Sequence, residues 1–172
     1  GTSAAEFAEV VLFEPLGITD YVWPASPDGT TLGWGELMLQ PADMAKIGDL
    51  YLRGGTWDGD RVVSQEWTEA ATTTHISTGG SPEGYGYQWW IDDGGCVMAI
   101  GMGGQFITVV PDHDLVVVFT SGLAPRGGND QQPVYLTNEY VVAAVASDEP
   151  LPPDGDAQAR LADAVEAARS AP

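Results

Sequence analysis

The sequence predicts an α/β (α+β) fold, with antiparallel sheet strands flanked by helices. Three observations carry that expectation. Apolar residues recur at helical spacing through residue 70 and in strand-like runs from Tyr85 to Thr120. The last two of those runs are joined only by Pro111-Asp112-His113-Asp114, a tight connection that implies an antiparallel return. Finally, 172 residues suffice for one domain with a real core but not for two large ones.

The first helix is expected to begin at Ser3. In Ser3-Ala4-Ala5-Glu6 a hydroxyl at the N-cap and a carboxylate three residues on can satisfy orphan amides reciprocally. Phe7, Val10 and Val11 follow at helical spacing, and Pro15 to Gly17 ends the helix. Trp23, Pro24, Pro27, Asp28 and Gly29 are turn chemistry and mark a loop. Pro41 suits the first position of a second helix, which Gly54-Gly55 stops. Its apolar stripe is Met44, Ile47, Leu50 and Tyr51, with Asp43, Lys46 and Asp49 expected to face water. Ser64 caps a short helix carrying Trp67 and Ala70. The polar, Gly-rich stretch 72–84 reads as loop.

Tyr85 to Ile91 then reads as one aromatic-rich strand, contributing to the core along one face. Cys96–Ile100, Gln105–Val110 and Leu115–Thr120 follow as three apolar strands. The unbroken Val116-Val117-Val118 run predicts a strand covered on both faces, with a helix over Pro133–Ala146 supplying part of the cover. Asp148 to Asp156, rich in Pro and acid, reads as linker, and Ala157–Arg169 as a weak helix or mobile tail. Residues 1–147 are therefore expected to form the folded unit and 148–172 a linker with its tail.

Charge limits the partners. Six basic residues against 25 acidic ones leave a net charge of −19, a surface that repels phosphate backbones and anionic lipid headgroups. Neither nucleic acid nor a membrane is an expected partner. No apolar run approaches the roughly 18–20 residues needed to span a bilayer. The chain opens at Gly1-Thr2-Ser3 without initiator Met or leader and runs straight into a helical pattern, as expected of a piece of a larger domain. A single cysteine, Cys96, excludes an internal disulfide.

The order of short motifs is more specific than any one of them. Leu12-Phe13-Glu14-Pro15-Leu16-Gly17-Ile18 comes first, then Gly33-Trp34-Gly35 and the helix Pro41-Ala42-Asp43-Met44-Ala45-Lys46-Ile47-Gly48. Gly54-Gly55-Thr56-Trp57-Asp58-Gly59 leads to Ser64-Gln65-Glu66-Trp67. Tyr85-Gly86-Tyr87-Gln88-Trp89-Trp90 and Gly103-Gly104-Gln105…Val109-Val110-Pro111 complete the set. Over about residues 3 to 146 this order resembles the C-terminal portion of the class C β-lactamase-like serine hydrolases. That family includes esterases, peptidases and hydrolases of small amides. The resemblance implies a β-lactamase/transpeptidase-like fold, of which this chain would supply the C-terminal strands and flanking helices.

In that family a Ser-x-x-Lys motif supplies the nucleophile, a Tyr assists proton transfer, and a third motif, usually Lys-Thr-Gly, lies across the cleft. The serine must lose its proton as it attacks, so Lys and Tyr stand on its side. The oxyanion that forms needs pre-aimed N–H donors from the opposite wall. By register with the following strand, the resemblance puts Ala99-Ile100-Gly101 in place of Lys-Thr-Gly. Met102 then contributes the backbone N–H that donates to the oxyanion, and Ala99, Ile100, Gly101, Gly103, Gly104 and Gln105 line the substrate. The glycines suit that role, since missing Cβ atoms let a substrate approach a strand edge; they would equally serve a bulge or tight bend.

Two departures from the pattern matter. Ala99 replaces the Lys that helps hold substrate carboxylates, which turns the expectation from β-lactams towards small-molecule esters or amides. Lys46 is the only Lys and Asp43 precedes it by three, so no Ser-x-x-Lys exists, and no Tyr is followed two positions later by Asn. On the family's layout both motifs would lie upstream of Gly1. The chain is therefore expected to be inactive alone, to need the N-terminal part of the same domain as a partner, and to use no cofactor or metal. A non-catalytic binding or regulatory module on a degenerate hydrolase fold is the alternative. An exposed sheet edge would favour a homodimer.

Other candidates have plainer explanations. Gly1-Thr2-Ser3-Ala4-Ala5 begins like a nucleophile elbow but lacks the final Gly, and Ser3 serves better as a helix cap. Cys96 with His75 or His113 suggests thiol chemistry, yet Cys is usually a buried apolar residue. Asp112-His113-Asp114 contains metal-ligand types on one short loop, where Asp and His are ordinary turn residues.

Overall fold

The computed structural model describes residues 1–122, 131–147 and 152–169. Helix α1, Ala4–Ala8, continues as π-helical turns over Glu9–Phe13. The capping box forms as expected: the Glu6 N–H donates to Ser3 Oγ at 3.2 Å, and the Ser3 N–H donates to Glu6 Oε2 at 2.8 Å. The Ser3 N–H, followed by the Thr2 and Ser3 hydroxyls, donates to the Glu6 carboxylate and holds it below its ordinary pKa. Phe7, Val10 and Val11 lie on the outward face, with Phe7 59% exposed, whereas Phe13 and Leu16 enter the core.

The short strands β1 (Tyr21–Val22) and β2 (Met38–Leu39) pair antiparallel and lead into α2, Pro41–Leu52. Pro41 starts that helix and Leu50 is fully buried, as the stripe predicts. Asp43 departs from expectation: it is 8% exposed rather than facing water. Its carboxylate is neutralised by Lys46 Nζ at 2.7 Å, and the same ammonium donates to the Gly17 carbonyl at 3.0 Å. One partly buried ion pair thus ties α2 to the end of the first helix. A second ribbon, β3 (Thr56–Trp57) with β4 (Asp60–Arg61), precedes α3, Gln65–Ala71, where the Trp67 N–H donates to the Ser64 hydroxyl.

The remaining strands form a six-stranded antiparallel sheet in simple order: β5 (Ile76–Ser77), β6 (Gly84–Tyr85), β7 (Trp90–Ile91), β8 (Val97–Gly101), β9 (Gln105–Val110) and β10 (Leu115–Phe119). The three long strands and the antiparallel turn at Pro111–Asp114 agree with the sequence reading. Three details do not. The 72–84 stretch contains β5 rather than loop alone. Tyr85 to Ile91 is not one strand but two short ones folded on each other, Tyr85 opposite Trp90. The Gly86 N–H donates to the Trp89 carbonyl at 2.8 Å and closes the turn between them. Trp89 consequently enters the core while Tyr87 stays half-exposed. Third, of the Val116–Val118 run only Val117 is buried, so the two-sided cover is incomplete.

Helix α2 lies against β9 and β10 and makes the main core with Trp89, Val97, Ile107 and Val109. Gly48 permits that approach: a Cβ there would stand 2.5 Å from Val116 Cγ1 and 2.9 Å from Ile107 Cγ2. The expected C-terminal helix is α4, Gln132–Leu136, continued by π and 3₁₀ turns to Ala144. Part of the expected linker, residues 148–151, lies outside the described residues; α5, Gly155–Arg169, is helical with Leu161 and Val165 exposed.

Candidate active-site wall

Strands β8 and β9 pair from Val97 opposite Val109 to Gly101 opposite Gln105, leaving Met102, Gly103 and Gly104 as a three-residue loop. Gly103 and Gly104 hold φ of 80° and 87°, a region that costs a side chain about 1–2 kcal/mol per residue. Both glycines are therefore demanded by the turn itself. At Gly101 a Cβ would approach Gln105 Cβ to 3.1 Å, so a larger residue would fit only if the strand pair gave by a few tenths of an ångström.

The other side of β8 is only half used. Strand β7 pairs with Val97 and Met98 alone, so Ala99, Ile100 and Gly101 run beyond its end. Among the described residues an inner strand thus acquires a local open edge beside the hairpin tip, where an extended substrate can approach backbone groups. Met102, at the start of the loop, is 82% exposed. On the α2 side of the sheet a cavity of about 550 Å³ lies between the β2 segment, α2 and β9. Leu37, Leu39, Met44, Ile47 and Ile107 give it apolar walls, and Gln105 stands at its edge opposite Gly101.

The expected wall residues are thus contiguous in space but not alike. Gly101 and Met102 are open to solvent. Ala99 instead packs with the Trp89–Ile107 core cluster. The Gln105 side-chain amide donates to the Ser121 carbonyl at 2.5 Å, and the Ser121 hydroxyl donates to the Gly104 carbonyl at 3.0 Å. Sequence reasoning missed Ser121, for which no local signal exists. It also missed the cavity lining at Leu37–Leu39, for which the apolar residues between Gly35 and Pro41 were a usable signal.

The competing candidates are accounted for by local structure. Ser3 is occupied as a helix cap. Asp114, in the left-handed region at φ 49°, receives two bonds from the Arg53 guanidinium, at 2.6 and 3.1 Å. Asp112-His113-Asp114 is therefore a braced turn, and among the described residues no group of three His, Cys, Asp or Glu could hold a metal. Burial, followed by the neighbouring Asp92 carboxylate, pushes the Cys96 thiol up to about 11, the opposite of an activated nucleophile. His75 stacks on Tyr87 at 4.3 Å, and Trp67 stacks on the same ring at 5.4 Å. Among the described residues no helix is long and apolar enough to cross a membrane.

The chain is similar in sequence and in fold to known proteins. The sequence model of the family described as Beta-lactamase matches residues 1–166. A 6-aminohexanoate-dimer hydrolase from Paenarthrobacter ureafaciens is 36% identical over 104 residues, taking in 53% of this chain and 26% of that protein. Among solved structures, a Bacillus anthracis protein provisionally described as a 6-aminohexanoate-dimer hydrolase superposes with a TM-score of 0.67 at 25% identity, covering 84% of this chain and 38% of the other. A Bacteroides dorei protein provisionally described as a beta-lactamase superposes with a TM-score of 0.55 at 16% identity, covering 78% of this chain and 50% of the other. The chain thus spans between a quarter and a half of the length of these relatives.

Proposed function

This chain belongs to the beta-lactamase family and has its hydrolase fold, and on that premise we propose that it forms the oxyanion-side wall of a serine hydrolase site. The observation that carries the reading is the Gly101–Gln105 hairpin, placed where β8 outruns β7, with Gln105 lining an apolar cavity. In the proposed reaction a serine hydroxyl attacks a substrate carbonyl, and the carbonyl oxygen becomes an oxyanion beside the Met102 N–H. Collapse expels the alcohol or amine, which takes the proton that the serine gave up. Water then cleaves the acyl-serine to the acid. A pre-aimed donor of this kind contributes about 3–4 kcal/mol to the barrier reduction.

Small esters or amides suit the wall better than β-lactams. Ala99 carries no charge and packs into the core, so it offers nothing to a substrate carboxylate. Two of the relatives are named as 6-aminohexanoate-dimer hydrolases, which supports small-molecule hydrolysis of that kind. The serine, lysine and tyrosine are supplied from outside residues 1–172, by the N-terminal part of the same domain. The exposed Phe7-Val10-Val11 face and the outer edge of β10 are surfaces for it to cover. Without it, the β10 edge, which pairs only with β9 among the described residues, is a place for a second copy of this chain to pair.

Purified 1–172 tests the reading with p-nitrophenyl esters. The expected rate is indistinguishable from buffer. Hydrolysis that disappears on Cys96→Ala or on substitution of a serine within the chain would place a nucleophile inside it and overturn the proposal. A non-catalytic module remains inactive even when joined to the sequence encoded upstream, whereas the proposed hydrolase gains esterase activity.

A further inference from the structure

We propose that Ser121 is a positioning residue for the hairpin tip, acting with Gln105 as a two-bond brace; the proposal rests on the reading of Met102 as oxyanion donor. The β9–β10 ladder ends at Phe106 opposite Phe119, one residue short of the hairpin loop. Beyond that point side chains take over from the ladder. Ser121 Oγ donates to the Gly104 carbonyl at 3.0 Å, and Gln105 Nε2 donates to the Ser121 carbonyl at 2.5 Å. Each side chain thus binds the backbone of the opposite segment, and the two bonds close a ring.

The loop needs such a brace. Gly103 and Gly104 are its two left-handed residues, and glycine leaves the backbone freer than any other residue type. The open edge of Ala99–Gly101 provides no ladder from β7 on the other side. An oxyanion donor works only if held within about 0.5 Å of its productive position. The brace is half-buried, so water competes weakly for its bonds. It fixes Gly104 and Gln105, the two residues that define where the loop re-enters the sheet, and so fixes the direction of the Met102 amide.

Amide hydrogen exchange on 1–172 reads the brace without any need for activity. Ser121→Ala is expected to speed exchange at Gly103, Gly104 and Gln105 at least about tenfold, leaving Val97 and Val109 unchanged. Ser121→Thr, which keeps the hydroxyl, is expected to restore protection. Unaltered exchange at the tip in Ser121→Ala overturns the brace. In the hydrolase assembled from this chain and the segment carrying its serine, Ser121→Ala is expected to lower kcat about tenfold at constant KM, with recovery in Ser121→Thr. A loosened tip with undiminished kcat overturns the positioning role. A Met102→Pro variant of undiminished kcat instead removes the reading of Met102, leaving the brace itself to be decided by exchange.

Discussion

Cys96 and the hairpin glycines are governed by opposite demands on a single residue. At Gly103 and Gly104 the backbone needs a conformation that a side chain resists, so the absence of an atom is what matters. At Cys96 the surroundings act on the atom that is present. Burial, then the Asp92 carboxylate, raises the thiol to about 11 from an ordinary value of 9.0. Folding therefore favours the protonated thiol. The resulting stabilisation is present below pH 9 and is lost as the pH rises through about 11. Alkylation by iodoacetamide between pH 7 and 11 is expected to follow the same titration. At pH 8 the thiolate is roughly 100-fold scarcer than for an ordinary thiol. A reactivity midpoint below pH 9 would contradict this. Some of the residue scale was legible in sequence: Ser3, Glu6 and Ser64 announce their caps because their partners lie within three residues. Ser121 could not be read, since its partner Gly104 is 17 positions away.

Elements were legible where their stabilising contacts are local or repetitive. The runs 97–101, 105–110 and 115–119 declare themselves through continuous apolar residues and one tight turn. Tyr85 to Ile91 misleads because its fold depends on contacts from elsewhere. The Tyr87 N–H donates to the Ala71 carbonyl at 3.0 Å, and Gly86 lies so close to the Ala71 and Thr73 carbonyls that no Cβ fits. These contacts bend an otherwise strand-like sequence into a hairpin. The docking of α2 is equally non-local. Replacing Gly48 by Ala would gain about 1 kcal/mol in helix propensity. The added methyl would press on Val116 and Ile107, both stiff β-branched side chains, and overpacking of that kind costs about 1–3 kcal/mol. Gly48→Ala is therefore expected to lose about 1 kcal/mol on balance, read as a lower urea midpoint. A variant more stable than the parent would show that the helix sits further from the sheet than described.

For the whole molecule, the fold was largely legible because the order of motifs carries it, while of the proposed site only the hairpin glycines announced themselves. The hairpin and the open end of β8 adjoin, and Gln105 is the hairpin residue that lines the cavity. The apolar run at Leu37–Leu39 is visible in the sequence, but its meeting with Gln105 at that cavity depends on α2 turning the chain back across β9, which is not. The central claim is that this wall acts through one backbone N–H, and that claim has a direct test. Met102 opens the loop after an extended Gly101, a place where proline is tolerated and removes the amide hydrogen, while Met102→Ala controls for loss of the exposed side chain. In the assembled hydrolase, Met102→Pro is expected to reduce kcat for a p-nitrophenyl ester by roughly 100- to 1,000-fold, with KM and the melting temperature near those of the parent. A Met102→Pro enzyme that turns over at the parent rate would mean that the oxyanion is held elsewhere.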